Sequence, residues 1–571
     1  MELLEDEADY IWDGPWSVRG AHLPPHLPLR EKLLLLRGLH DGAEREQFLH
    51  PDPYSHLGRL LGDPSLLPDA AAAVEVLAAA IATGKVVWVY GDYDADGVTG
   101  AAILVRGLRQ LGATVEYYIP HRVDEGFGLN ERAVHVLADR GCRLLVTVDC
   151  GTSDVEEVAL ARSFGMDVIV TDHHSPPEQL PEAVAVVNPK RRGCEYPDIR
   201  LTGAGVAYSL LRALAYRLGA GSRMRAGELV QLAALGTIAD VAPLLGENRL
   251  LVRAGLAAMR RAPLPGLRAL LVSSGFSGGE VSETDISFKL APRLNAAGRM
   301  AHAGIACELL LETDPFKTRQ LASQLEELNE NRRETSDGML AVATDMVSRG
   351  AAFGGDVLTV YHEQWSPALL GIVAGRLSRL HSVPVIAATR DGEGVRASAR
   401  SVAGLDIMRA LHGCRHLLTE HGGHSQAAGF STSLSGLQEV HNHLLAEFAG
   451  TRKEIPLEVD AELSPEDLSP ALANDLAALA PYGSGNPEPL FGLRNVRPRF
   501  VRVFGKQRAH LSFCVTGARG LDVEVVGFGM SDQRDVLGSG REVDLVVRAV
   551  RQYQGGSYHP LRLALEHAIS S

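Results

Sequence analysis

The chain has 571 residues, 46% of them apolar, and a formal net charge of −14. That length is too great for one hydrophobic core, so three or four domains are expected. No apolar run reaches the ~18 residues of a membrane span. The acidic balance argues against a uniformly basic surface, but from Phe491 to Ser571 there are 12 basic against 7 acidic residues. In chain order, the opening "MELLEDEADY" lacks the basic start of a signal peptide. With six scattered cysteines and no CxxC, it places the chain among cytoplasmic proteins with reduced thiols. Residues 1–55 read as an extension packed on the neighbouring domain. Residues 56–312 read as a first α/β domain, in which "KVVWVY", "TVEYYI", "CRLLVTVD" and "DVIVTD" are strands separated by amphipathic helices. Continuous apolar strands between helices predict a doubly wound parallel sheet, whose ligands bind beyond the carboxyl ends of its strands.

Residues 313–350 read as one connecting helix, with Thr313 and Asp314 as caps, Pro315 in its first turn and a possible kink at Gly338. A second, smaller α/β lobe is expected over 351–452, with strands at "DVLTVY" and "VPVIAAT". Over 453–571 the pattern changes to short strands with Gly/Pro turns, which predicts a small antiparallel barrel.

Acidic and histidine clusters fall at the ends of the first domain's elements: Asp92, Asp94 and Asp96 in "GDYDADG", Asp149 in "TVDCGTS", Asp172, His173 and His174 in "VTDHHS", and Asp240 in "LGTIADV". Three aspartates within five residues repel one another unless cations lie among them. Carboxylate and imidazole without thiolate suit Mn²⁺ or Mg²⁺, and a shared carboxylate suits a pair of ions ~3.5–4 Å apart, the arrangement of a two-metal hydrolase. Taken singly, "DYDADG" also reads as a calcium loop, but that loop closes on Glu at its twelfth position, and here that position is Ile103. Asp149 and Asp240 taken singly read as helix caps.

Together and in order, these motifs resemble those of the DHH phosphoesterase superfamily, and "GGHSQAAGF" (Gly422 to Phe430) resembles the Gly-Gly-His motif of its second lobe. More specifically, "IPHRVDEGFGLN", "LAPRLNAAGRM", "WSPALLGIVAGRL", "RASARS" and "PYGSGNPEPLF" resemble the bacterial RecJ single-strand exonucleases over nearly the whole chain. The resemblance implies a DHH catalytic domain, a DHH-associated lobe and a C-terminal OB-like barrel. It implies hydrolysis of single-stranded DNA from 5′ to 3′, releasing 5′-mononucleotides in repair and recombination. Two Mn²⁺ or Mg²⁺ ions would be held by Asp92, Asp94, Asp96, Asp149, His173 and Asp240, with Asp149 bridging and Asp172 orienting His173. His174 would face the scissile phosphate, and Gly422, Gly423 and His424 would close the cleft. Arg299, Ser398 and Arg400, with Arg293 in reserve, would read the 5′ end. Phe504, Phe513 and Tyr553 are candidates for base stacking in the barrel. The expected partners are single-stranded DNA, a single-strand-binding protein and a helicase, with a monomeric enzyme and no membrane. The alternatives are a phosphoesterase acting on small nucleotides, whose chains generally end after the second lobe, and an inactive strand-binding scaffold, which would have lost ligands.

Overall fold

The computed structural model describes residues 16–570, apart from 25, 51, 277, 351, 451–456, 506–507 and 555–556; side chains at 550–560 and 570 are likewise not described. The first domain is built on a parallel sheet of β1 (Val87–Gly91), β2 (Val115–Tyr118), β3 (Leu144–Val148), β4 (Asp167–Thr171) and β5 (Ala185–Val187), in the order β2-β1-β3-β4-β5. Both faces of β1 are apolar because both are covered. Val87 and Val89 enter one core with Val98 and Leu104 of helix α1 (Ala95–Leu111), and Trp88 and Tyr90 enter the other with Val134 of α2 (Glu131–Asp139). Helices α3 (Val155–Ser163), α4 (Gly203–Arg217), α5 (Ala226–Ala239) and α6 (Gly246–Arg261) complete the layers that position the site, and α7 (Ala291–Met300) leads towards the second lobe. The doubly wound sheet is therefore as expected.

Helix α8 (Pro315–Ser348) comes next, 34 residues long, or roughly 50 Å at 1.5 Å per residue. Asp314 caps it by accepting from the Phe316 and Lys317 amides at 2.8 and 2.9 Å, and it runs unbroken through Gly338. The second lobe pairs β6 (Leu358–Tyr361), β7 (Val385–Asp391), β8 (Gly394–Arg400), β9 (Glu420–His424) and β10 (Ala427–Thr432) in the order β9-β10-β8-β7-β6, with α9 (Leu370–His381) against it.

The C-terminal sheet contains a short strand at Ala461–Glu462, then β11 (Leu490–Val496), β12 (Arg499–Phe504), β13 (His510–Thr516), β14 (Asp522–Gly527), β15 (Val543–Gln554) and β16 (Ser557–Ser570). It is not purely antiparallel, which corrects the expectation: β14 pairs with β16 in parallel, as Ala461–Glu462 does with β11. The helices Leu29–Leu35 and Gly42–Leu49 do not form a separate extension. Their Leu33, Leu34 and Phe48 lie in the barrel's core beside Phe491 and Leu545.

Candidate two-metal site and 5′-end pocket

The sheet delivers its acids to one point beyond its carboxyl edge. Asp92 lies directly after β1 and is 1% exposed. Asp94 caps α1, accepting from the Asp96 and Gly97 amides at 2.9 and 3.1 Å. Asp96, in the first turn, accepts from the Gly203 and Ala204 amides at 2.7 and 3.1 Å, so the start of α4 holds its carboxylate. Asp149, after β3, adopts a left-handed φ of 63°, an uncommon conformation that Asp tolerates better than most residues. His173 Nε2 lies 2.9 Å from Asp149 Oδ1 and 3.9 Å from Asp96 Oδ2. Asp240 closes the group at the end of α5.

Ligand atoms converge within 4.8 Å of one another in overlapping sets: Asp92, Asp94 and Asp149; Asp96, His173 and Asp240; and Asp149, His173 and His174. Asp149 belongs to two carboxylate-bearing sets, as a bridging ligand must. Burial, then the neighbouring carboxylates, pushes Asp92 and Asp149 well above the ordinary range, Asp96 to about 7 and Asp240 to about 8. Burial lowers His173 to about 3, so its ring is neutral and able to ligate. Asp92 Oδ1, Asp149 Oδ1 and His173 Nε2 are buried with no hydrogen-bond partner. Such orphaned acceptors in a crowd of carboxylates fit divalent cations.

Asp172 corrects one expectation. Its Oδ1 accepts from His174 Nδ1 at 2.8 Å, whereas it reaches His173 only at the backbone amide, at 2.7 Å. It therefore orients the ring of His174 rather than that of His173. Burial works against ionisation of Asp172, yet His174 holds it well below the carboxylate range; the same carboxylate outweighs desolvation at His174 and raises that imidazole. From the second lobe, the His424 ring stacks on His174 with centroids 6.1 Å apart. Gly423 has φ 140°, and a Cβ there would lie 2.3 Å from the Ala427 carbonyl; beside Gly422 the space is open.

Across the cleft, Arg299 at the end of α7 donates to the Ala368 carbonyl at 2.7 Å, and Arg400 donates to Ser398 Oγ at 2.9 Å. Gly371 makes room: a Cβ there would lie 2.4 Å from Arg400 Nη2. Burial, then mutual repulsion, lowers Arg299 to about 9 and also lowers Arg400. The repelling charges include Arg122 and Arg332, two residues that sequence reasoning missed. Arg122 stood inside the stretch "IPHRVDEGFGLN", and its guanidinium lies 4.6 Å from the Tyr93 ring centroid. Arg293 is not brought to this cluster. Its Nη2 is 2.8 Å from Glu326 Oε1, and its Nη1 donates to the Lys289 carbonyl. With its fork occupied, it is withdrawn from the pocket. Beyond Arg299 a cavity of about 780 Å³ opens between Val241, Phe288 and Arg332 on one side and Tyr482 and Arg548 of the C-terminal region on the other.

The barrel's positive charge is largely spent on itself. Arg494, Arg497, Arg499, Arg502, Arg548 and Arg562 pair with Glu462, Glu542, Asp522, Glu524, Glu566 and Glu524. Arg508, Arg519, Arg534 and Arg541 make no ion pair among the described residues. Phe513 is buried core, and the Tyr553 side chain lies outside the described residues. Phe504 joins His510 and Phe528, the last 67% exposed.

Comparison with known proteins agrees with this geometry. Residues 86–237 match the DHH family N-terminal domain, 354–450 the DHHA1 domain and 459–563 the RecJ OB domain. The fold and site thus define a DHH-type protein. Among curated proteins, the chain is 36% identical to the single-stranded-DNA-specific exonuclease RecJ of Dickeya dadantii over 96% of this chain and 97% of that one. Against the Bacillus subtilis RecJ exonuclease it is 34% identical over 91% of this chain, and it spans 65% of that relative's length. The crystal structure of Thermus thermophilus RecJ in complex with Mn²⁺ superposes with a TM-score of 0.78 at 32% identity, covering 95% of this chain and 76% of that one. The same protein is also known in complex with Mg²⁺. The chain belongs to the RecJ family of single-stranded-DNA-specific exonucleases.

Proposed function

We propose that the protein hydrolyses single-stranded DNA from the 5′ end, releasing 5′-mononucleotides, with two Mn²⁺ or Mg²⁺ ions. The observation that carries this is a juxtaposition. The carboxylate and imidazole cluster and the arginine cluster with Ser398 face one cleft, and His424 reaches across from the second lobe. Asp92, Asp94 and Asp149 would hold one ion, and Asp96, Asp149, His173 and Asp240 the other. Bound there, the ions supply Lewis-acid stabilisation of the phosphoryl oxygens and an activated water. The rest falls to the chain. Arg122, Arg299, Arg400 and Ser398 hold the terminal phosphate, since planar guanidinium groups bind phosphate oxygens bidentately. Asp172 fixes the His174 ring and favours its protonated form, which offers positive charge to the scissile phosphate. Cleavage one nucleotide from an anchored 5′ end yields mononucleotides and sets the polarity.

The barrel and the cavity leading towards it would hold the following nucleotides, by stacking on exposed rings such as Phe528 and by phosphate contacts. DNA repair and recombination in the cytoplasm, a single-strand-binding protein and a helicase as partners, and a monomeric state complete the proposal. Arg400→Ala tests it. Losing a charged hydrogen-bonding group costs ~1.5–3 kcal/mol, so KM for 5′-phosphorylated strands rises roughly 10–100-fold, while the thermal stabilisation by Mn²⁺ stays as in the wild type. An unchanged KM contradicts the pocket.

A further inference from the structure

The loop His121–Asn130 carries two groups into the cleft. Arg122 joins the guanidinium cluster around Arg299 and Arg400, and Phe127 sets its ring edge-on to His174, with centroids 5.3 Å apart. The loop has no regular secondary structure, so its shape must come from elsewhere. At its start, Glu125 accepts from the His121 amide at 2.6 Å and from the Tyr118 hydroxyl at 2.7 Å. At its end, Tyr90 on β1 donates to the Gly128 carbonyl at 2.7 Å and accepts from Asn130 at 3.1 Å. The remaining hold is Asp154, five residues after the metal-site Asp149. It occupies the N-cap position of α3 but makes no side-chain bond to its own helix. Its carboxylate instead accepts from the Leu129 amide at 2.7 Å. A capping residue typically contributes ~1 kcal/mol to its helix. Here that contact is forgone, and the carboxylate ties the end of the metal-bearing β3 to the arginine-bearing loop.

We propose that Asp154 is a positioning residue: with Tyr90 it latches the loop His121–Asn130 so that Arg122 is set for the 5′-terminal phosphate. The latch rests on the reading of the arginine cluster as the 5′-end pocket. It fixes the distance between the strand end and the reactive centre from the metal side of the cleft, which makes Asp154 a determinant of preference for phosphorylated ends rather than of hydrolysis itself.

The test compares kcat/KM on one oligonucleotide with a 5′-phosphate and with a 5′-hydroxyl, in the Mn²⁺-loaded full chain, for wild type, Asp154→Ala, Asp154→Asn and Tyr90→Phe. Amide exchange at Leu129 is followed in parallel. In Asp154→Ala the ratio of phosphate to hydroxyl falls at least fivefold, the loss lies in KM for the phosphorylated strand, and Leu129 exchanges faster. Asp154→Asn keeps an oxygen acceptor for the Leu129 amide and so keeps most of the ratio. Tyr90→Phe, which retains the ring, lowers the ratio in the same direction and carries the test if Asp154→Ala does not fold. A wild-type preference that survives in Asp154→Ala and Tyr90→Phe overturns the latch alone. So does an equal loss on both strands, which marks a purely structural role. A wild-type ratio near 1 overturns the pocket, and the latch with it.

Discussion

Each aspartate in "GDYDADG" has a different neighbour to answer to. Asp94 serves the helix, Asp96 is held by the start of α4, and Asp92 is left with a buried oxygen and no partner. The cluster is strained only while it is empty of cations. Asp96 titrates at about 7 and Asp240 at about 8, whereas an unfolded Asp titrates near ~3.9. Between those limits the folded state binds more protons than the unfolded one, so the metal-free protein loses stability as pH rises from ~4 to ~8. A divalent ion removes that penalty, and at low pH it must displace protons to bind. The gain in Tm on saturation with Mn²⁺ is therefore larger at pH 8 than at pH 6. Scanning calorimetry with and without Mn²⁺ at the two pH values checks this, and equal gains contradict it. The chemistry-bearing residues were legible because strand ends punctuate the sequence. The partner of an arginine was not: Arg293 and Arg299 look alike at six residues' spacing, and only the fold sends one to Glu326 and the other to the cleft.

At the scale of elements, the parallel strands of the first domain and the 34-residue helix are local patterns, and the structure keeps them. The parallel pairing of β14 with β16 and the seating of the N-terminal helices in the barrel join distant parts of the chain, for which periodicity gives no signal. The junction is held by Arg249, which is 1% exposed. It donates to the carbonyls of Phe48, Pro481 and Ala480 at 3.0, 3.2 and 2.8 Å, and its guanidinium lies 3.6 Å from the Phe48 ring centroid. Burial lowers it to about 9. Arg249→Leu leaves several buried carbonyls without donors, at ~1–3 kcal/mol each. The expected result is a Tm lowered by several degrees and earlier proteolysis near Pro481; an unchanged Tm contradicts a clamp. For the same reason, a truncation that removes the barrel would expose Leu33, Leu34 and Phe48 rather than yield a clean catalytic core.

Across the whole molecule, three parts meet at one cleft. The first domain brings the metal ligands, and the second lobe brings Ser398, Arg400 and His424. The cavity of about 780 Å³ leads from there to Tyr482 and Arg548. Among the described residues no helix is long and apolar enough to cross a membrane. With its phosphate anchor on one side of the reactive centre and its strand-holding surface on the other, the molecule has a built-in direction. The most direct test of that direction uses single-stranded DNA labelled at either the 5′ or the 3′ end, each with the opposite end blocked, incubated with Mn²⁺ or with EDTA. The account predicts that label at a free 5′ end leaves at once as a mononucleotide, that label at the 3′ end persists in a shrinking strand, and that EDTA stops both. Release of mononucleotides from a free 3′ end at an equal rate, or activity undiminished by EDTA, would contradict it.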